Sequence, residues 1–313
     1  MPPTEPVDIP DEAFVALQGL RDAIVDIVPQ ELDFAIGIKQ IDGEFQDDLA
    51  LVVLIPDKLP REEVPPEQLI PGEFGGFLTD VAEFRPEETA DVSPHNPLVG
   101  GIQISRPAFF DPDAGGFRVR PGTLGAMARN RSDGARLMLT ASHVLPDAGV
   151  DVHQPGDLTT GHRVVGTADR GVTTSNWLDC AVARVAANVA TSAEVADVGA
   201  VAGTALVRLW EPVTKRGAST DLTSGLVVAV VPDLSQGTLI GMIIDTFPFG
   251  GLFCWRGDSG SVVLNAANEI VGLLFAMTDN QTDDNGTPLS ARGLASTIDS
   301  VTDALLIDIE VGP

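Results

Sequence analysis

Ser259 occupies the setting that a nucleophilic hydroxyl requires. It lies between two glycines in Gly257-Asp258-Ser259-Gly260-Ser261, directly before the strand-like run Val262-Val263-Leu264. A tight turn of this kind can expose a hydroxyl group. Because a serine hydroxyl is a weak nucleophile, it needs an adjacent base, and that base needs a carboxylate to orient it. The turn therefore predicts a reactive serine only if the chain also supplies those two partners.

The chain supplies both partners at the ends of apolar strands. His143 follows Leu139-Thr140-Ala141-Ser142, and Asp179 precedes Cys180-Ala181-Val182. Taken singly, a serine in a glycine turn, a histidine and a strand-initial aspartate each have an ordinary structural explanation. Together they follow the chain order His, Asp, Ser, which is that of the chymotrypsin arrangement and not that of α/β-hydrolases or subtilisins. The α/β-hydrolase turn would also need glycine where this chain has Ser261, so the three residues predict a triad of the first kind.

These residues resemble the motifs of the trypsin-like serine peptidase family. Thr140-Ala141-Ser142-His143 is similar to its Thr-Ala-x-His motif, Asp179 to its strand aspartate, and 257–260 to its Gly-Asp-Ser-Gly turn. The resemblance covers Leu98 to about Ile309. Glycines at strand ends also mark ordinary turns and bulges. Three further segments resemble intracellular bacterial members with an N-terminal extension, although their glycines also fit ordinary turns. This branch is related to plant narrow-leaf-type proteases. The segments are 122–125, 213–217 with 222–225, and 271–276.

The resemblance implies peptide-bond hydrolysis by acyl transfer on a protein or peptide substrate, without a cofactor. His143 would take the proton of Ser259 as the serine attacks, and Asp179 would hold the imidazole. The backbone amides of Gly257 and Ser259 would form the oxyanion hole. The alternative is a non-enzymatic peptide- or partner-binding module on the same fold.

The position six residues before the serine resembles the base of the family's specificity pocket. Here it is Phe253 rather than an acidic residue, which argues against cleavage after lysine or arginine. The matching wall strand would place Phe275, Ala276 and Met277 along the cleft, and this predicts an apolar or small side chain before the scissile bond. Alternatively, Phe253 and Met277 simply fill the hydrophobic core.

Leu98-Val99-Gly100-Gly101 resembles the site at which secreted zymogens are cut. The new amine would then pair with Asp258, the residue before the serine. An apolar strand that enters a Gly-Gly turn explains the same letters. The sequence leaves both interpretations open.

The segments that must position these residues predict a mainly β chain. After Pro97 the sequence consists of short apolar or alternating runs separated by Gly, Pro, Asn and Asp, which is typical of all-β folds. We expect a two-barrel chymotrypsin-like fold, with a first barrel at about 97–200 and a second at about 201–313. Leu294 to Leu306 fits either a strand or a helix. The candidate strands are 101–105, 137–140, 181–185, 205–209, 226–231, 239–245, 261–264 and 270–275.

The sequence predicts that residues 1–95 form a small α+β domain before the peptidase domain at 96–313, and it leaves the role of this domain open. Apolar residues recur at helical steps from Asp11 to Val28, and strand-like runs follow at 32–38, 49–55 and 77–84. A stretch rich in Pro and Glu predicts the boundary near 91–96. The N-terminal domain could be a regulator, an inhibitor of the cleft, an oligomerisation unit or an adaptor, so a homo-oligomer is possible.

Charge and composition narrow the partners. The 313 residues carry 45 acidic and 19 basic side chains, a net charge of −26, which argues against nucleic acid as a partner. There is neither a leader-like segment nor an apolar run of membrane-spanning length. With only two cysteines, Cys180 and Cys254, the chain suits a reducing compartment, and we expect a cytoplasmic location without a disulfide.

Neither of two metal-like patterns predicts a metal site. The tract with Asp279, Asp283 and Asp284 fails the EF-hand spacing, because Arg292 falls where the bidentate acid should be. The histidines outside the triad, His95, His153 and His162, have no cysteine or second histidine at ligand spacing along the chain.

Overall fold

The structure is a computed structural model. It describes residues 7–25, 27–28, 32–41, 44–55, 63–83, 93–111, 116–157, 161–174, 177–246, 251–282 and 288–313. The tract at 283–285 lies outside these residues. The prediction of a mainly β chain with two barrels after a small α+β region is confirmed.

The N-terminal region contains one helix and a small sheet. Helix α1 buries Leu17 and Leu20 completely, as the helical spacing of apolar residues predicts. It ends at Ile24 rather than Val28, although the Val28 amide still donates to the Ile24 carbonyl at 3.1 Å. The elements are α1 (Asp11–Ile24), β1 (Asp33–Ile41), β2 (Glu44–Ile55), β3 (Glu73–Phe74) and β4 (Phe77–Glu83).

The first barrel is built on an eight-stranded sheet. In this sheet the order is β24-β10-β11-β14-β13-β12-β6-β9, so the last strand of the chain returns to the first barrel. At one end of the sheet β9 leads into Gly125, whose amide donates to the Leu139 carbonyl of β11 at 2.7 Å. The strands of this region are β5 (Leu98–Gly100), β6 (Ile102–Ser105), β7 (Phe109–Asp111), β8 (Gly116–Arg118), β9 (Pro121–Leu124), β10 (Ala126–Asn130), β11 (Arg136–Thr140), β12 (Asp151–Gln154), β13 (Arg163–Thr174), β14 (Leu178–Val185), β15 (Thr191–Val195) and β16 (Gly199–Ala200).

The second barrel closes on itself. Its six strands follow the order β18-β21-β22-β23-β20-β19, and β18 also pairs with β19 to complete the ring. The elements after Ala200 are β17 (Gly203–Thr204), β18 (Pro212–Gly217), β19 (Asp221–Asp233), β20 (Thr238–Asp245), β21 (Val262–Asn265), β22 (Glu269–Thr282), β23 (Pro288–Thr297), α2 (Ile298–Leu305) and β24 (Ile307–Ile309).

One local prediction is wrong, and one choice that the sequence left open is decided. No strand forms over 205–208, where Leu206 is exposed, and Leu209 instead makes a single bridge to Val7. The segment 294–306 is both a strand and a helix, since β23 ends at Thr297 and α2 follows at once. In the part of the chain that the structure describes, no helix is long and apolar enough to cross a membrane.

The N-terminal strands extend the sheet of the second barrel. Strand β1 pairs with β19, with Ile36 opposite Val230 and Gly37 opposite Ala229, and the sheet continues through β2, β4 and β3. Ile36 packs in one cluster with Val230 and Leu17, while Ala35 on the other face packs in a second cluster with Ala229. The N-terminal region therefore shares both a sheet and hydrophobic cores with the second barrel.

Candidate active site

Strand pairing in the first barrel brings His143 to Asp179. Strand β11 ends at Thr140, which pairs with Ala181 of β14. The turn after β11 therefore lies beside the start of β14. Nδ1 of His143 is 2.9 Å from Oδ2 of Asp179. The His143 and Asp179 side chains are thus in direct contact, although they are 36 residues apart in the chain.

The second carboxylate oxygen of Asp179 is held by the backbone of the histidine turn. Oδ1 accepts hydrogen bonds from the amide of Ser142 at 2.5 Å and from the amide of His143 at 3.2 Å. Backbone donors fix the plane of the carboxylate, and the other oxygen is then directed at the imidazole. This arrangement favours the tautomer with its proton on Nδ1, which leaves Nε2 to act as a base.

Ser259 lies in a turn with a glycine near it on each side, and both glycines adopt backbone conformations that favour this residue type. Gly257 and Gly260 have φ values of 94° and 95°, which are left-handed conformations that residues with a Cβ rarely adopt. The Gly260 amide donates to the Leu274 carbonyl at 2.7 Å, and this ties the turn to β22. The Ser259 hydroxyl donates to the Phe275 carbonyl at 3.3 Å.

The serine turn packs against the end of the strand that precedes His143. The Thr123 amide donates to the Ser259 carbonyl at 2.7 Å. A Cβ added to Gly260 would lie 2.3 Å from the Thr140 hydroxyl and 3.1 Å from the Ala141 amide nitrogen. The two barrels therefore meet where Ser259 and the histidine turn approach each other.

Two backbone amides at this turn are available as donors. The structure assigns an acceptor to neither the Gly257 nor the Ser259 amide among the residues it describes. Their carbonyls, by contrast, are both held by Thr123, which donates from its hydroxyl to Gly257 at 2.6 Å and from its amide to Ser259. The amides that the sequence predicts for an oxyanion hole are thus not consumed within the described chain.

Asp258 forms a buried ion pair with Lys215. Both side chains are fully shielded from solvent, and Nζ lies 3.0 Å from Oδ2 of Asp258. The carboxylate also accepts bonds from the amides of Ser219 at 2.8 Å and Trp255 at 2.9 Å and from the Thr220 hydroxyl at 2.6 Å. A buried carboxylate that is paired and fully hydrogen-bonded holds its surroundings rigidly. The turn before the serine is therefore fixed from within.

Sequence analysis did not single out Lys215. The only signal was a basic residue inside the strand-like segment 213–217, and a buried lysine needs a buried acid. In the segment at 98–101, Leu98–Gly100 forms β5, which pairs with β15 and enters a turn at Gly101 (φ 85°). A strand that enters a Gly-Gly turn accounts for these residues, and cleavage near Val99 stays a prediction to be tested.

The four residues predicted for the specificity pocket fall into two groups. Phe253 and Met277 are 0% and 2% exposed and pack in the same hydrophobic cluster. The Lys215 ammonium lies 5.9 Å from the centre of the Phe253 ring. Phe275 and Ala276 are only partly buried, and the Phe275 ring makes an edge contact with Trp177, with 5.9 Å between ring centres.

Comparison with known proteins gives structural likeness only. No protein-family model matches the chain, and no curated protein is significantly similar to it. Similar solved structures include a Nocardiopsis protease (16% identity, TM-score 0.46, covering 68% of this chain and 98% of that one). A glutamic acid specific serine protease that utilizes a novel histidine triad in substrate binding has 17% identity and a TM-score of 0.49 (68% and 100%). Cellulomonas bogoriensis chymotrypsin has 19% identity and a TM-score of 0.46 (68% and 97%).

The strand topology itself defines the class of fold. A closed six-stranded barrel beside a second, half-closed one is the chymotrypsin-like arrangement. The solved structures similar to this chain are bacterial chymotrypsin-like serine proteases.

Proposed function

We propose that the chain is a serine endopeptidase with His143, Asp179 and Ser259 as its catalytic triad. The observation that carries this proposal is the contact between Nδ1 of His143 and Oδ2 of Asp179 at 2.9 Å, in a fold that packs the serine turn against the same strand end. A histidine held by a carboxylate in this way can accept a proton at Nε2.

The reaction would proceed by two matched acyl transfers. As Oγ of Ser259 attacks the peptide carbonyl carbon, its proton passes to His143, and the carbonyl oxygen takes up the negative charge. His143 then protonates the leaving amine as the C–N bond breaks, which leaves an ester on Ser259. Water repeats the sequence and releases the acid, while Asp179 stabilises the imidazolium in each half. The hydroxyl must first turn from the Phe275 carbonyl, in line with the loose catalytic hydrogen bonds of substrate-free enzymes.

The amides of Gly257 and Ser259 would stabilise the oxyanion. One such donor typically contributes about 3 to 4 kcal/mol to the transition state. The Lys215–Asp258 pair supports a hole that is assembled without cleavage of the chain, since an internal ammonium already occupies the partner position next to Asp258.

The substrate would be a protein or peptide bound along β22. Phe275 and Ala276 are the predicted pocket residues that retain some exposure, so we propose that they contact the side chain before the scissile bond. A cytoplasmic location is supported by Cys180 and Cys254, which are both buried and free.

A fluorophosphonate probe tests the proposal. It should label the folded protein at Ser259, as mapped by mass spectrometry of the labelled peptide, and a peptide library should show cleavage by the same preparation. Ser259→Ala should abolish both signals. Ser235→Ala is the matched control, because Ser235 is exposed and bonds only within its own turn.

The non-enzymatic alternative predicts a different outcome. If folded wild-type protein takes up no probe and cleaves nothing, while wild type and Ser259→Ala bind the same peptides, the hydrolytic proposal is wrong. Intact mass before and after incubation also shows whether the chain cuts itself near Val99, which the internal Lys215 pair argues against.

A further inference from the structure

The hairpin of β12 and β13 gathers two histidines and an aspartate away from the proposed triad. The last paired residues of the hairpin are Gln154 and Arg163. His153 pairs with Val164 of β13, and His162 lies two residues before Val164. Because side chains at i and i+2 share a face of a strand, the two histidines project from the same side of the hairpin. Asp157 lies in the loop between the two histidines.

The ligand atoms of these three residues converge. Oδ1 of Asp157 is 3.6 Å from Nδ1 of His153 and 3.2 Å from Nε2 of His162. All three atoms lie within 4.8 Å of one another. Ligands around a tetrahedral zinc ion with bonds of about 2.0 to 2.2 Å are about 3.3 Å apart. Both separations from Oδ1 of Asp157 are close to that value.

His153 presents a buried nitrogen with no hydrogen-bond partner. Its Nδ1 is shielded from solvent, and no acceptor or donor lies within hydrogen-bonding distance among the described residues. Oδ1 of Asp157 lies 3.6 Å from this nitrogen, which is too long for a hydrogen bond. A buried polar atom without a partner is costly. A metal ion between the three ligand atoms would satisfy it.

Asp157 is oriented as a ligand by the neighbouring backbone. Its Oδ2 accepts a hydrogen bond from the Ala108 amide at 2.7 Å, and its own amide donates to the Ser105 hydroxyl at 2.9 Å. These bonds leave Oδ1 directed at both histidines. Outer-shell bonds of this kind fix ligating carboxylates in known metal sites.

We propose that His153, Asp157 and His162 bind a divalent transition-metal ion, of which zinc is the best candidate. Two imidazole nitrogens favour zinc over calcium or magnesium, which prefer oxygen ligands. Sequence analysis predicted no zinc site because spacing along the chain does not show that the β12–β13 hairpin brings the two histidines together. Three protein ligands leave a fourth position open, and His162, which is 39% exposed, places that position towards solvent. The ion would fasten the loop before β13 to β12 and, through Ala108 and Ser105, to the segment after β6.

Zinc titration of the folded protein, after a chelator has removed any bound metal, tests the site. Isothermal calorimetry should show one equivalent of tight binding, and cobalt should give the intense visible absorption of tetrahedral coordination. His162→Ala and His153→Ala should each weaken zinc binding by more than about 100-fold, because loss of an outer-shell partner alone costs about 10- to 100-fold. Zinc should also raise the melting temperature of the wild type but not of His162→Ala.

Two controls separate this site from other histidines. His95→Ala removes a third histidine, whose backbone amide and carbonyl bond to Gln154 and Arg163. His143→Ala removes the proposed catalytic base. Both variants should bind zinc like the wild type. Absence of zinc binding by the wild type, or equal binding by His162→Ala, would overturn the proposal and leave the cluster as side chains that pack together without a metal. His162 is partly exposed, so this variant remains decisive even if His153→Ala fails to fold. None of these outcomes depends on peptidase activity.

Discussion

At the residue scale, the clearest feature is that Asp179 serves two structures at once. One oxygen contacts the His143 ring and the other accepts two backbone amides of the same turn. The carboxylate therefore sets the tautomer of the base and the shape of the turn that carries it. Loss of its charge should affect chemistry more than stability, because an amide oxygen can still accept from the backbone.

The pH dependence of the rate follows from this geometry. Only the unprotonated imidazole can accept the serine proton, so kcat/KM should rise with pH as His143 loses its proton and then level off. Asp179→Asn should lower kcat by about 10⁴-fold through the wrong tautomer. Steady-state kinetics on a cleaved library peptide measures both effects: the wild type between pH 5 and 9 gives the pH profile, and Asp179→Asn against the wild type gives the loss of kcat. A flat profile for the wild type would argue against His143 as the base.

The buried Lys215–Asp258 pair gives a prediction for stability. Lys215→Met leaves a buried carboxylate without its cation, which typically costs about 3 to 5 kcal/mol. The double variant Lys215→Met with Asp258→Asn should recover part of that loss, because no charge remains. Lys39→Met is the control, since the Lys39–Asp80 pair is partly exposed and should contribute less than about 1 kcal/mol. Urea unfolding measures all four proteins, and equal losses at positions 215 and 39 would contradict the assignment.

The two thiols should be inert in the folded protein. Burial, with a smaller effect of the Asp179 carboxylate, raises the pKa of Cys180 to about 12, and burial also raises the pKa of Cys254. Iodoacetamide at pH 8 should therefore modify neither until guanidinium unfolds the chain, as intact mass will show. The folded state keeps protons that the unfolded thiols lose, so stability should also fall as the pH rises above 9.0, the ordinary thiol value. Rapid modification of the native protein would contradict this.

At the element scale, strand pairing positions the functional groups. The β11–β14 register places His143 beside Asp179, and the β12–β13 register places His153 near His162. The strands themselves follow from short apolar runs that are readable in the sequence. Their neighbours do not, because many pairings satisfy the same apolar pattern. Local motifs were therefore enough to predict a triad, which stays a prediction, whereas the histidine cluster depends on a strand pairing that no motif encodes.

Gly37 tests the junction between β1 and the second barrel. A Cβ at this position would lie 2.7 Å from the Val228 carbonyl oxygen and 3.0 Å from the Ala229 Cβ. Gly37→Ala should therefore force the strands apart and cost about 1 to 3 kcal/mol, as overpacking does. Gly72→Ala, where nothing lies within 4 Å, should be close to neutral. Thermal unfolding compares the two, and equal melting temperatures would show that the junction yields without strain.

At the scale of the whole molecule, the N-terminal region extends the sheet of the second barrel. Strand β1 extends the barrel sheet, and apolar residues on both of its faces pack in clusters that include barrel residues. To the roles that the sequence left open, this pairing adds another, which is to cover the edge of β19.

Deletion of residues 1–95 tests that role. The remaining chain would expose Val230 and Ala229 on an uncovered strand edge, and such edges promote aggregation. We expect the 96–313 fragment to be insoluble or to lack a cooperative unfolding transition, while the full chain unfolds cooperatively. A folded fragment that reacts with the fluorophosphonate would instead establish the predicted boundary near residue 95 as that of an independent domain.

The sequence by itself was enough to predict the fold class and to select the three candidate catalytic residues. The reason is that short motifs and apolar periodicity can be read without knowing which segments meet in the fold. Only the tertiary structure decided what contacts them. Lys215 became the partner of Asp258, Phe253 became a core residue, and β1 became an added strand of the second barrel. The physical reason is that burial and pairing depend on which distant segments meet, and a hydrophobic pattern states that a face is covered without stating what covers it.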